Sequence, residues 1–189
     1  MLADLPSEYV QRVVEVASRK GVALEIRHIP AAARGARGTA AAVAADLDQI
    51  VEGAVFVAPR PGGRFIPIVC LLPGHAQVDM SLLAAVTGEV GIRPASAREA
   101  YEHTGFLTGG IPPFGHPRNV RVVMDRELCR HQWVWAAAGT DAAVFRVAPR
   151  TLQMLSNAVV APLAEGAPIR REAATPIRTP LQFGARSGV

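Results

Sequence analysis

The chain has 189 residues, half of them apolar, and its 20 basic and 16 acidic side chains give a net charge of +4. That suits one domain with a substantial core. No apolar run reaches the ~18 residues of a membrane span, and two cysteines, Cys70 and Cys129, make no disulfide framework. The opening residues hold Asp4 and Glu8 and lack a basic-then-apolar leader pattern, so the expectation is a cytoplasmic protein with no membrane partner.

In chain order, Ser7 caps a helix over 7–20, with Val10, Val13, Val14 and Ala17 at helical spacing and Gly21 as its stop. Leu24 to Ile29 alternates as a half-buried strand. A basic loop, Arg34 to Gly38, precedes an Ala-rich helix that Thr39 is expected to cap and that runs to about Ala45. Ala54 to Ala58 and Phe65 to Leu72 read as a hairpin across Pro59 to Gly63, with Pro67 marking an edge or bulge. Asp79 caps a helix through Thr87, and Ser96 with Glu99 has capping-box spacing for another that Gly105 ends. Three strands follow, over 120–124, 132–136 and 142–147, and then a last helix over about 150–159. Strands interleave with single helices without a regular βαβ beat. The predicted class is therefore α+β, or mixed α/β, with a central, mostly antiparallel or mixed sheet.

The charge is unevenly placed. Arg170, Arg171, Arg178 and Arg186 against Glu172 give 166–189 a charge of +3, leaving +1 for 1–165. Residues 1–165 are read as one domain and 166–189 as an Arg- and Pro-containing extension, one able to dock on a neighbouring copy. The domain itself is no strongly basic nucleic-acid clamp. Lys20 is the sole lysine.

Most catalytic signatures are missing. The five histidines, 28, 75, 103, 116 and 131, show no HExxH or related spacing, and Cys129 with His131 lacks further ligands. There is no GxSxG, no CGSC-like context and no phosphate-binding glycine loop. What stands out is Gly109-Gly110-Ile111-Pro112-Pro113-Phe114-Gly115. Glycine lets backbone amides approach a ligand closely and proline fixes φ, so such a loop can serve as a rigid shelf of N–H dipoles. It can equally be a tight link between helix and strand.

This loop and the order of its neighbours resemble the YbaK/prolyl-tRNA synthetase-associated domain family of aminoacyl-tRNA deacylases. The resemblance covers roughly Ala40 to Val160. It rests on AAAVAADL at Ala40 to Leu47, QIVEGAVFV at Gln49 to Val57, LLPGHAQVDMSLL at Leu71 to Leu83, ASAREAYEHTGFLTGGIPPFG at Ala95 to Gly115, MDRE at Met124 to Glu127 and AAG at Ala137 to Gly139. The string TGF…GGIPPFG is the specific part.

The resemblance implies a mixed, largely antiparallel sheet flanked by helices, with a small pocket between sheet and loop. It implies hydrolysis of the ester joining a wrong amino acid to the 3′ end of tRNA, in trans, with no metal or organic cofactor. By the same resemblance, Gly109 and Gly110 would orient the substrate carbonyl or the attacking water. Ile111, Pro112, Pro113, Phe114, Gly115, His116, Ala138 and Gly139 would shape the binding wall. A synthetase is a second implied partner, and a homo-oligomer is compatible.

One position departs from the pattern. The family's functional lysine follows "QIV", and here Glu52 stands in its place, with Gly53 next. Ala137 also stands where many relatives have Ser. Glu52 then reads in three ways: a plain solvated acid, the mark of a relative that binds an aminoacyl or nucleotide group without turnover, or a general base or ammonium ligand in a diverged pocket. Arg34 or Arg37 could supply the missing positive charge. His116 is a second acid–base candidate, or simply a loop histidine before Pro117.

Overall fold

In the computed structural model, which describes residues 7–164, the Ser7 side chain accepts from the Val10 amide at 3.4 Å and starts helix α1, Glu8–Arg19. Val10, Val13 and Ala17 are its buried stripe. The expected extension at 166–189 lies outside the described residues. Strand β1 is Ile26–His28. Helix α2, Ala36–Val43, begins three residues before Thr39, because Gly35 turns the chain at φ 83 and its carbonyl accepts from the Thr39 amide at 2.8 Å. Thr39 is thus a buried residue inside the helix and not its cap.

Strands β2, Ile50–Arg60, and β3, Arg64–Pro73, form the expected hairpin in unbroken register from Val51↔Pro73 to Arg60↔Arg64. Pro67 is accommodated because the pairing on the other side of β3 begins only at Ile68. Asp79 caps α3, Met80–Thr87, accepting from the Ser81 and Leu82 amides at 2.7 and 3.0 Å. A two-residue strand, β4 (Arg93–Pro94), leads to α4, Ala97–Thr104, opened by the Ser96–Glu99 capping box. Then come β5 (Arg121–Asp125), β6 (Val134–Thr140), β7 (Ala143–Val147) and α5 (Pro149–Ser156). The last helix is shorter than its sequence suggested. Asn157 takes a left-handed conformation at φ 51, and Val159–Ala161 becomes strand β8.

The strands make one mixed sheet in the order β1-β7-β6-β2-β3-β5-β8, with β4 also on β2. The pairs β1/β7, β6/β7, β2/β3 and β2/β4 are antiparallel; β2/β6, β3/β5 and β5/β8 are parallel. The expected fold, a largely antiparallel mixed sheet flanked by helices, is the one observed. On one face, α1 and α5 pack over Val51, Val55, Val69, Leu71 and Phe145. On the other, α2 covers Ile50, Trp135 and Val144, and α3 covers Phe56, Ile68 and Cys70. Among the described residues, no helix is long and apolar enough to cross a membrane.

Candidate functional site

Alternation along β2 decides what faces what, since successive side chains point to opposite sides of a sheet. Ile50, Glu52, Ala54 and Phe56 share the α2 and α3 face; Val51, Gly53 and Val55 share the α1 face. Glu52 thus puts a carboxylate between two apolar clusters. It is exposed at the surface of that seam, and no hydrogen bond or ion pair reaches it from the described residues. Partial burial raises its pKa above the usual carboxylate value.

Glu52 borders a hollow of about 40 Å³, together with Gly35, Thr39, Trp135, Ala137, Thr140 and Asp141. Gly109 completes the rim. Arg34 is not in the lining, but its guanidinium lies 3.3 Å from the carboxylate of Asp141, which is. Glu52 and Gly109 therefore border one hollow, and Arg34 reaches it only through its pairing with Asp141. Arg37 is exposed on α2 and is not part of the lining. Lys20 is committed elsewhere: its ammonium donates to the Met154 and Leu155 carbonyls at 3.1 and 2.9 Å, at the end of α5.

The rest of the glycine–proline loop lies on the opposite face of β2. Ile111 and Phe114 are in the α1-side core with Val51 and Val55, and Pro112 and Pro113 are buried beside them. Gly53 makes this crossing feasible, because a Cβ there would sit 2.8 Å from the Ile111 carbonyl oxygen. Gly110 is pinned as well: a Cβ would fall 2.4 Å from the Thr140 Cα, and its amide donates to the Leu107 carbonyl at 3.1 Å. That amide is therefore already used. Gly115 lies against α1 at Val13. Ala138 and Gly139 are buried, and the missing Gly139 side chain leaves room for the Tyr9 carbonyl and the Phe106 ring. These residues brace the rim from behind and do not line the hollow.

His116 is held edge-on against Phe106, with ring centroids 5.8 Å apart. Burial pushes its pKa down to about 4, against a smaller upward pull from the Thr104 backbone. Neither ring nitrogen has a hydrogen-bond partner of good geometry among the described residues. It is not in the lining of the Glu52 hollow. Cys129 and His131 border a different and larger concavity of about 490 Å³, with Arg150 and Gln153.

Sequence reasoning missed Thr39, Trp135, Thr140 and Asp141. Thr140 and Asp141 directly follow the AAG segment and form the β6–β7 turn, so their proximity was available from chain order. Trp135 was two residues from the recognised Ala137, on the same side of β6 by alternation. The Thr39 hydroxyl has no hydrogen bond among the described residues and belongs to the hollow by its position on α2.

The arrangement of this mixed sheet and its helices has solved counterparts. A crystal structure of a candidate trans-editing enzyme for prolyl tRNA synthetase matches with a TM-score of 0.77 and 35% identity, over 86% of this chain and 100% of that one. The hypothetical protein APE2540 matches with a TM-score of 0.73 and 26% identity, over 82% of this chain and 99% of that one. This is the fold of deacylase-like trans-editing proteins. The aminoacyl-tRNA editing domain model matches residues 31–155, and the chain belongs to that family. EbsC of Enterococcus faecalis, a candidate Cys-tRNA(Pro)/Cys-tRNA(Cys) deacylase, is 23% identical over 96 residues, 51% of this chain and 58% of that protein. The chain thus spans less than two thirds of the length of its curated relatives.

Proposed function

We propose that the chain hydrolyses the ester of a mischarged aminoacyl-tRNA in trans, in the cytoplasm, with the aminoacyl group seated at the Glu52 hollow. The observation that carries this reading is the Glu52 carboxylate itself: partnerless among the described residues, raised in pKa, and bordering the same hollow as Gly109. A carboxylate of raised pKa is a better base than a solvated one. It takes a proton from water, the oxygen attacks the ester carbonyl, and the tRNA 3′ oxygen leaves with a proton. The ester is already activated, so placing the water and the carbonyl supplies much of the remaining acceleration.

Family membership and the match to a trans-editing protein support the substrate class. The small size of the hollow, about 40 Å³, supports a small side chain. Arg34, the cation beside the lining, is paired with Asp141, so it does not offset Glu52 as a free positive charge there. A synthetase that releases mischarged tRNA is the natural partner.

The test is deacylation of a panel of mischarged tRNAs. Wild-type protein releases the smallest aliphatic amino acids fastest. Glu52→Gln lowers kcat about 100-fold with little change in KM, within the range of a lost general base. No release from any member of the panel overturns the proposal, and so does equal turnover by Glu52→Gln. Hydrolysis that appears only in Glu52→Lys would identify the natural chain as a binder without turnover.

A further inference from the structure

One wall of the Glu52 hollow continues outward as an alternating series of arginine and tryptophan. Trp135 lines the hollow. The Arg27 guanidinium lies 5.2 Å from the centroid of its ring and the Arg146 guanidinium 6.0 Å. Arg146 also stands 5.2 Å from the ring of Trp133. The register explains the alignment. Trp135 pairs with Arg146 across β6 and β7, and Arg27 pairs with Val144 across β1 and β7, so these three side chains rise from one face of the sheet, and Trp133, just before β6, meets them through Arg146. Arg27, Arg146 and Trp133 are exposed.

The arginines here differ from many on the molecule. Arg34, Arg60, Arg93, Arg98 and Arg121 each meet a carboxylate. Arg27 and Arg146 meet none among the described residues. Asp141, the acid at the near end of the strip, is already paired with Arg34. The strip therefore offers two uncompensated guanidinium groups interleaved with aromatic planes, leading to the place where an ester would be cleaved. A single strand of nucleic acid matches both features, with phosphates for the cations and bases for the flat surfaces.

We propose that the Arg27–Trp135–Arg146–Trp133 strip binds the unpaired 3′ end of the tRNA and delivers its terminal ester to the hollow. This rests on the proposed editing function for the identity of the strand. It adds where that strand lies and which side chains hold it. Trp133 is the outer stacking platform, Arg146 bridges the two indoles, and Arg27 contacts the backbone from the β1 edge. Residues 1–165 carry a net charge of only +1 with Arg27 and Arg146 included, so this attraction is no general property of that surface.

The experiment measures binding and needs no turnover. The probe is a fluorescent single-stranded RNA ending in the 3′ sequence shared by tRNAs, titrated with full-length protein at several salt concentrations. The double variant Arg27→Gln/Arg146→Gln should raise Kd at least tenfold. Its slope of log Kd against log salt should fall by about 1.4, about 0.7 for each lost phosphate contact. Trp133→Ala should raise Kd about tenfold with the slope unchanged, the mark of lost stacking. Arg64→Gln, at the β2–β3 hairpin, should bind as wild type. Circular dichroism checks that each variant is folded, and Trp133→Phe, which keeps a stacking plane, should recover most of the affinity.

Unchanged Kd and slope in the arginine double variant and in Trp133→Ala overturns the proposal. So does an equal loss in Arg64→Gln, which would mean diffuse attraction. A wild-type protein that binds the RNA through the strip yet cleaves no mischarged tRNA would refute the editing function and leave the strip standing. Cleavage with wild-type KM for full tRNA in the double variant would do the reverse.

Discussion

Glu52 occupies a position where the alternation of β2 calls for an apolar side chain, between Ile50 and Ala54. Holding an anion there is unfavourable, and its pKa is raised accordingly. The sign follows from linkage. The folded protein binds this proton more tightly than the unfolded chain, so its contribution to stability is fully present below the unfolded carboxylate pKa and is lost as pH rises through the folded value. Glu52→Gln should therefore melt higher than wild type at neutral pH, and the gap should close in acid. Scanning calorimetry at pH 7 and pH 4 checks this. A variant that loses turnover while gaining stability would mark the carboxylate as kept for function. His116 runs the other way. Its pKa is lowered to about 4 from an ordinary 6.5, so the neutral ring is favoured in the fold. Stability is complete above about pH 6.5 and falls toward pH 4, by up to about 3 kcal/mol. His116→Leu should flatten that part of the pH–stability curve, as read by urea unfolding.

Two short segments hold larger elements in place. At Gly110, a Cβ would overlap the backbone of the β6–β7 turn, at 2.4 Å from Thr140 Cα. Gly110→Ala should cost more than about 2 kcal/mol of stability and reduce turnover together with it, because the Gly109 rim and the Asp141 side of the hollow must separate. Denaturant midpoints and deacylation rates on the same preparation check both. Asp125, only 1% exposed, ends β5 and accepts from the Glu127 amide at 2.8 Å and from the Leu163 and Ala164 amides at 2.8 and 3.1 Å. It ties the segment after β8 to the sheet. Asp125→Ala leaves three amides without that acceptor and should destabilise by about 2–4 kcal/mol. Hydrogen exchange should accelerate first at Leu163 and Ala164.

At the scale of the whole molecule, the hairpin and the five helices found among the described residues were legible because their signals are local. Ser7, Asp79 and the Ser96–Glu99 pair announce helix starts, and Pro59 to Gly63 announces a turn. β8 and β4 were not legible, since three- and two-residue strands exist only through the partners they find, β5 and β2. The start of α2 was misplaced because Gly35, not Thr39, turns the chain. The ordered family segments singled out Glu52 and Gly109, which border one hollow. They could not show that Ile111 to Phe114 pass to the far side of β2, which depends on the missing side chain of Gly53. Nor could they show the Arg–Trp strip, whose members come from β1, β7, β6 and the residue just before β6, and only meet once the sheet forms.

The commitment of Lys20 to the end of α5 has a practical side. It is the one side-chain amine in the sequence, and it bridges the first helix to the last, away from the hollow. Apart from a terminal α-amine, acylating reagents aimed at amines would react only at that α1–α5 clasp and spare the side chains around Glu52. The same reagents would also break the clasp, so the labelled protein would show directly how much the two helices depend on a single ammonium group.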